Sequence, residues 1–243
     1  MTLLTQILEN HATLATIEVT VLWSVVTVAL YIASKHFYRR YPRWWTAPLV
    51  VTPILLIIIT VLSHTDYTIY IGGTHWLVAL LGPATVAFAV PIYKQREIIH
   101  RYWRTLAIGI VCGSTISMVS AWGLASMLGV AGSLRLSLLP RSISTPFAMT
   151  VSGEIGGVPE LTAVFVILTG IWGAAFGEAA LYLLPFKSSL ARGTSFGLGA
   201  HVVGSSKARE IDPEEGAVAA LVMVLTGIFN VLIAPLAEVA LRQ

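Results

Sequence analysis

Leu138-Leu139-Pro140-Arg141-Ser142-Ile143-Ser144-Thr145-Pro146 sets two prolines six residues apart around an arginine and three hydroxyls, inside a stretch otherwise apolar enough for a membrane. Each proline removes a backbone donor and frees a carbonyl of the preceding turn. In hydrocarbon such backbone is tolerated only where protein or water surrounds it. The stretch therefore predicts a broken or re-entrant segment over residues 133–151 that faces a cavity rather than lipid.

The chain around it is a membrane chain. Only 11% of its 243 residues are charged and 56% are hydrophobic, with a mean hydropathy of +0.81, whereas soluble domains carry roughly 25% charged residues. Six further runs approach the roughly 20 apolar residues a spanning helix needs: 13–34, 46–63, 76–93, 105–130, 161–184 and 216–239. None alternates with period two for long, which argues against a strand barrel. The expected class is an all-α integral membrane protein with about six full transmembrane helices and two broken segments, about eight segments in all.

The second broken segment is 188–206, again apolar but carrying an arginine, hydroxyls and glycines. Leu168-Thr169-Gly170-Ile171-Trp172 recurs as Leu225-Thr226-Gly227-Ile228-Phe229, an offset of 57, and each follows a Pro-Glu pair suited to opening a helix, Pro159-Glu160 and Pro213-Glu214. Upstream, Leu139, Arg141 and Ser144 match Leu190, Arg192 and Ser195 at an offset of 51. Repeats of about 57 residues with interrupted segments in matching positions point to a transporter's binding site. Residues 1–75 read as an N-terminal scaffold, and 76–243 as a repeat-containing core. Whether the repeats are inverted, and how the second half is oriented, the sequence leaves open.

Charge supplies topology rather than a binding face. Lys35, Arg39, Arg40 and Arg43 form one basic run and Lys94, Arg96, Arg101 and Arg104 another. The positive-inside rule places both in the cytoplasm, two crossings apart. The net charge of +3 is thus no argument for nucleic acid. Trp44 and Trp45 fit an interfacial anchor. Cys112 stands alone, which rules out a disulfide framework, and the N-terminus lacks the pattern of a cleaved signal peptide. No hydrolase, phosphate-loop or metalloprotease motif occurs, and the six histidines lack ligand spacing. Neither an enzyme nor a metal or cofactor site is expected.

Arg141 is the first candidate for binding: its guanidinium offers a fixed fork of donors for a carboxylate, and Ser142, Ser144 and Thr145, with Pro146 opening the next helix, could hold the rest of a small hydroxy- or keto-acid. The competing reading is an arginine that reaches a headgroup or pairs with Glu154 or Glu178. The second constellation is Arg192, Thr194, His201, Gly204, Ser205 and Ser206, where neutral hydrogen-bonding groups could line a pathway or the glycines could serve helix packing. Glu18 and Glu178 are carboxylates in or near apolar runs, more readily structural than proton-carrying.

Four stretches, residues 81–94, 140–146, 156–165 and 200–208, together resemble the LrgB/CidB family, closest to its YohK-type members. The resemblance covers nearly the whole chain. Members are described as holin- or antiholin-like regulators of murein hydrolase export and lysis, acting beside a smaller LrgA/CidA-type membrane protein. Others imply transport: the plastidial glycolate/glycerate translocator fuses both modules, and bacterial pairs are linked to pyruvate. The motif implies a lysine where this chain has Arg141, which keeps charge but changes geometry.

The leading expectation is a secondary transporter of small monocarboxylates in the bacterial inner membrane, working by alternating access of an elevator-like core, with a homodimer as the expected assembly. The coupling ion, proton or sodium, is left open. The alternative is a holin-like protein controlling murein hydrolases; a third reading is a partner that acts only with an LrgA/CidA-type subunit.

Overall fold

The computed structural model describes residues 2–41, 43, 46–183, 186 and 188–241, and the side chains among them except those of residues 2–17, 178, 180, 182, 240 and 241. Trp44 and Trp45, and the side chain of Glu178, lie outside the described residues. Every regular element among the described residues is helical. The chain divides into two compact units, Met1–Gly82 and Pro83–Gln243.

In the first unit, α1 (Thr2–Arg40) packs against α2 (Pro48–Leu62) and α3 (Tyr67–Ala79). The Trp76 indole donates to Ser24 Oγ at 2.7 Å, and that hydroxyl donates to the Gly73 carbonyl at 2.8 Å, so the polar groups satisfy one another. Much of α1 remains apolar and uncovered, including Leu22, Val25 and Ile32, as a lipid-facing helix requires. Glu18 is exposed on it.

Among the described residues five stretches are long and apolar enough to cross a membrane: Glu18–Arg40, Tyr67–Lys94, Arg96–Met127, Pro159–Gly177 and Pro213–Val239. The expected span at 46–63 becomes the 15-residue α2, about 22 Å at 1.5 Å per residue and short of a core of about 30 Å. It starts at Pro48 and stops at a turn in which His64 takes a positive φ of 49°. The stretch Tyr67–Lys94 is divided into α3, α4 (Leu81–Ala87) and α5 (Ala89–Lys94). Pro83 and Pro91 lie four residues beyond Ala79 and Ala87, where α3 and α4 end, and neither can supply the N–H those carbonyls need.

The second unit is built around α11 (Pro213–Leu241), which packs on α10 (Ser189–Ile211), α8 (Thr145–Glu154), α6 (Arg96–Met127) and α5. Val218, Leu221, Val222 and Val224 are almost wholly enclosed. Around them α7 (Gly132–Leu138) and α9 (Pro159–Leu183) complete the unit. Both α9 and α11 begin at the Pro-Glu dipeptides read from the sequence, with Glu160 and with Glu214 and Glu215 in their first turns, where acidic groups complement the helix dipole.

Candidate functional site

Two interruptions meet in the second unit. The first lies between α7 and α8, where residues 139–144 are non-helical. Pro140 and Pro146 bracket it, and single turn bonds hold it, such as Arg141 N–H to the Leu138 carbonyl at 3.4 Å. Ser144 precedes α8 as its N-cap with extended backbone, but its hydroxyl does not cap the helix. That hydroxyl is buried without a partner. Pro146 is the second residue of α8, in the first turn, where a helix has no use for the N–H that proline lacks.

The second interruption is His201, where α10 takes φ 41°, ψ −119° and resumes at once. Ser205 stabilises the break by donating its hydroxyl to the His201 carbonyl at 2.8 Å. The imidazole is 2% exposed. It faces the backbone carbonyl of Arg141, so the two broken segments touch at their interruptions, and Nε2 has no partner. Helix α9 closes over this crossing through Gly173: a Cβ there would come within 2.6 Å of the Gly199 carbonyl. Only glycine permits that approach.

Beside the crossing lies an open groove of about 370 Å³, lined by Arg141 with Leu138, Phe165, Thr169, Trp172 and Gly199 among others. Among the described residues the Arg141 guanidinium has no carboxylate partner, and Glu154 is exposed at the far end of α8. The groove thus combines one arginine and the Thr169 hydroxyl with largely apolar walls, an arrangement suited to a small anion with an apolar end.

The sequence-derived candidates distribute unevenly around this crossing. Arg141, Ser142, Ser144, Thr145 and Pro146 share the first interruption, and His201, Gly204 and Ser205 form the second. Ser205 and Ser206 also line a separate groove of about 360 Å³ with Arg209 and Glu210. Arg192 sits in the first turn of α10 and pairs with the buried Glu215 at 2.9 Å, while Thr194 turns its methyl toward Gly109 of α6. The offset of 51 aligned Arg192 with Arg141, yet α10 runs unbroken from Ser189 to Ala200 and places Arg192 well before its break.

Of one polar group, only Ser142 was singled out from the sequence as a site residue. Ser114, Ser117, Ser142, Thr226 and Asn230 converge behind the first interruption. The signal was there: Asn230 is the one amide in an otherwise apolar span, and such residues usually mark function or a partner.

The backbone at His201 gives a direct test of this geometry. A positive φ strains any residue with a Cβ, by about 1 kcal/mol or more, and leaves glycine unstrained. His201→Gly and His201→Ala remove the same ring, and the glycine variant is expected to melt at the higher temperature by about 1 kcal/mol of stability. Equal melting of the two in detergent would show that the backbone there is not held as described.

Fold and site together define a polytopic helical membrane protein organised around crossing interrupted helices. The model of the LrgB-like family matches residues 27–239, and the chain belongs to that family. It is 39% identical over 210 residues to the uncharacterized protein YwbG of Bacillus subtilis (strain 168), covering 86% of this chain and 93% of that protein. YxaC of the same strain, also uncharacterized, is 35% identical over 212 residues, 87% and 92% of the two chains. The holin-like protein CidB of Staphylococcus epidermidis is 31% identical over 215 residues, 88% and 94% of the two chains. No solved structure matches the chain.

Proposed function

We propose that this protein is a secondary carrier of small monocarboxylates, such as pyruvate, glycolate or a related hydroxy acid, in the bacterial cytoplasmic membrane. The observation that carries the reading is the meeting of two interrupted helices at the Arg141 backbone and His201. Interrupted helices place half-helix ends and free backbone groups at membrane depth, where they bind charged solutes. Arg141 supplies the carboxylate contact, and the start of α8 supplies donors for a hydroxyl or keto oxygen. The two Pro-Glu-initiated units act as structural repeats, and the core moves against the N-terminal helices of a homodimer in an elevator-like step.

A holin-like role is the second reading, and the relatives support it more directly: a protein matched over 88% of this chain bears that name. In that role the protein would regulate murein hydrolase export through oligomerisation, with or without a smaller LrgA/CidA-type membrane partner. A lesion-forming protein has no need of an arginine at a helix crossing, which is why the geometry favours transport.

Uptake of labelled pyruvate and glycolate into proteoliposomes separates the two. The carrier reading expects saturable uptake, competed by unlabelled analogues, that falls at least tenfold in Arg141→Ala with the variant still monodisperse. A loss of one charge-assisted, bidentate contact, worth roughly 1.5–3 kcal/mol, accounts for such a factor. Non-saturable passage of pyruvate and of unrelated solutes of similar size, shared by the variant, would decide for the holin-like reading.

A further inference from the structure

A second, much smaller and partly open chamber adjoins the first interruption at Leu139, Pro140 and Ser142, with room for one water-sized body of about 10 Å³. Its polar wall comes from three separate places: Ser114 and Ser117 on α6, Ser142 in the interruption, and Thr226 and Asn230 on α11. The Ser117 and Ser142 hydroxyls hydrogen-bond each other. No lining residue is a carboxylate, a histidine or a lysine.

Asn230 fixes the chemistry. Its Nδ2 donates to the Thr226 carbonyl at 2.7 Å and to Ser114 Oγ at 2.9 Å. A backbone carbonyl can only accept, so the amide nitrogen must face it, and the orientation of the side chain follows from that bond. Oδ1 is then the acceptor left over. Asn230 is 1% exposed, and Oδ1 is buried with no hydrogen-bond partner among the described residues. An unpartnered acceptor in a low-dielectric interior costs about 1–3 kcal/mol, which argues for an occupant that is positive or a donor.

We infer that this chamber is a binding site for one sodium ion. Its available ligands are neutral oxygens: Asn230 Oδ1, the hydroxyls of Ser114, Ser117 and Ser142, and the turn backbone at Leu139 and Pro140, whose carbonyl also accepts from Ile143 N–H at 3.3 Å. Unwound backbone of this kind coordinates sodium where helices are interrupted in a membrane. A divalent ion would demand carboxylates to offset its charge, an anion would leave the buried Asn230 Oδ1 facing like charge, and no lining group exchanges a proton near neutral pH. The size suits a small monovalent ion held directly by protein. The inference deepens the carrier reading by naming its coupling ion, and sodium binding is measured without any substrate, so each can fail alone.

The test uses the full chain purified in detergent in choline chloride. Thermal unfolding followed by tryptophan fluorescence is expected to shift upward, saturably, on adding NaCl and to respond far less to equal KCl. Calorimetric titration with NaCl should give a matching affinity that falls at least tenfold in Asn230→Ala and in Ser117→Ala. Ser117 is only half-buried, so its variant keeps the test valid should Asn230→Ala fail to fold. A wild-type response no greater in sodium than in potassium would mean that the chamber holds a water molecule, and would overturn the proposal. So would a sodium response unchanged in the folded variants, since the ion would then bind elsewhere.

Discussion

Gly197→Val is expected to give a protein that either fails to reach the membrane as a monodisperse species or melts far below the parent in detergent. Gly197 lies on the face of α10 that meets α11, and a Cβ there would stand 2.5 Å from the Ala219 carbonyl oxygen. The obstacle is backbone, which cannot rotate away, so α10 would have to withdraw along its length. Gly193, one turn earlier, has the same relation to the Glu215 carbonyl at 2.6 Å, and any withdrawal would also loosen the Arg192–Glu215 pair. In lipid, helices associate through close packing of small residues rather than through expulsion of water, so this contact is a large part of what holds the second unit together. Overpacking of this kind costs about 3 kcal/mol or more. Gly199→Ala on the same helix is the control: a Cβ there meets nothing within 4 Å, and the variant should melt at or slightly above the parent temperature. Similar melting of Gly197→Val and Gly199→Ala would disprove the close α10–α11 approach.

Phe147→Ala is expected to have the next largest effect, for the opposite reason. Phe147 stands in the first turn of α8, 7% exposed, with its ring pressed over Gly227 of α11 and tilted against Phe88 at 5.6 Å between centroids. Its removal leaves a void between α8 and α11. The cost is roughly 3 kcal/mol, toward the low end for a buried phenylalanine, because dispersion is lost while transfer to lipid contributes little. Since Phe147 anchors the helix that follows the interruption, affinity for the proposed carboxylate should fall along with thermal stability. Phe147→Leu, which refills most of the space, should recover the greater part of both. A Phe147→Ala protein as stable as the parent would mean that α8 is not held by this ring.

Much of this architecture was legible in the sequence, and the reasons are specific. Proline acts locally, so Pro140 and Pro146 announced the first interruption, and the Pro-Glu pairs at 159 and 213 announced the starts of α9 and α11. Hydropathy found the long spans but overstated residues 46–63, because a run of apolar residues carries no information about where a turn such as that at His64 will end it. Glycine content marked 188–206 as irregular without locating its break, which falls on His201 rather than on any of its glycines. The pairing of Arg192 with Glu215 and the convergence of Ser114, Ser117, Ser142 and Asn230 join residues 23 to 116 positions apart. Such contacts are made by helix packing, and no local pattern encodes them.

Arg141 and Ser142 are consecutive residues that line different cavities, the open groove and the smaller chamber. One peptide unit is therefore a common wall, and occupancy on either side bears on the same backbone. Linkage makes that relation symmetrical: if filling the chamber raises anion affinity in the groove by some factor, the anion raises affinity in the chamber by the same factor. Two binding isotherms, each measured with and without the other solute, would then return a single coupling constant, and the strength of that constant would measure how stiffly residues 139–144 are held.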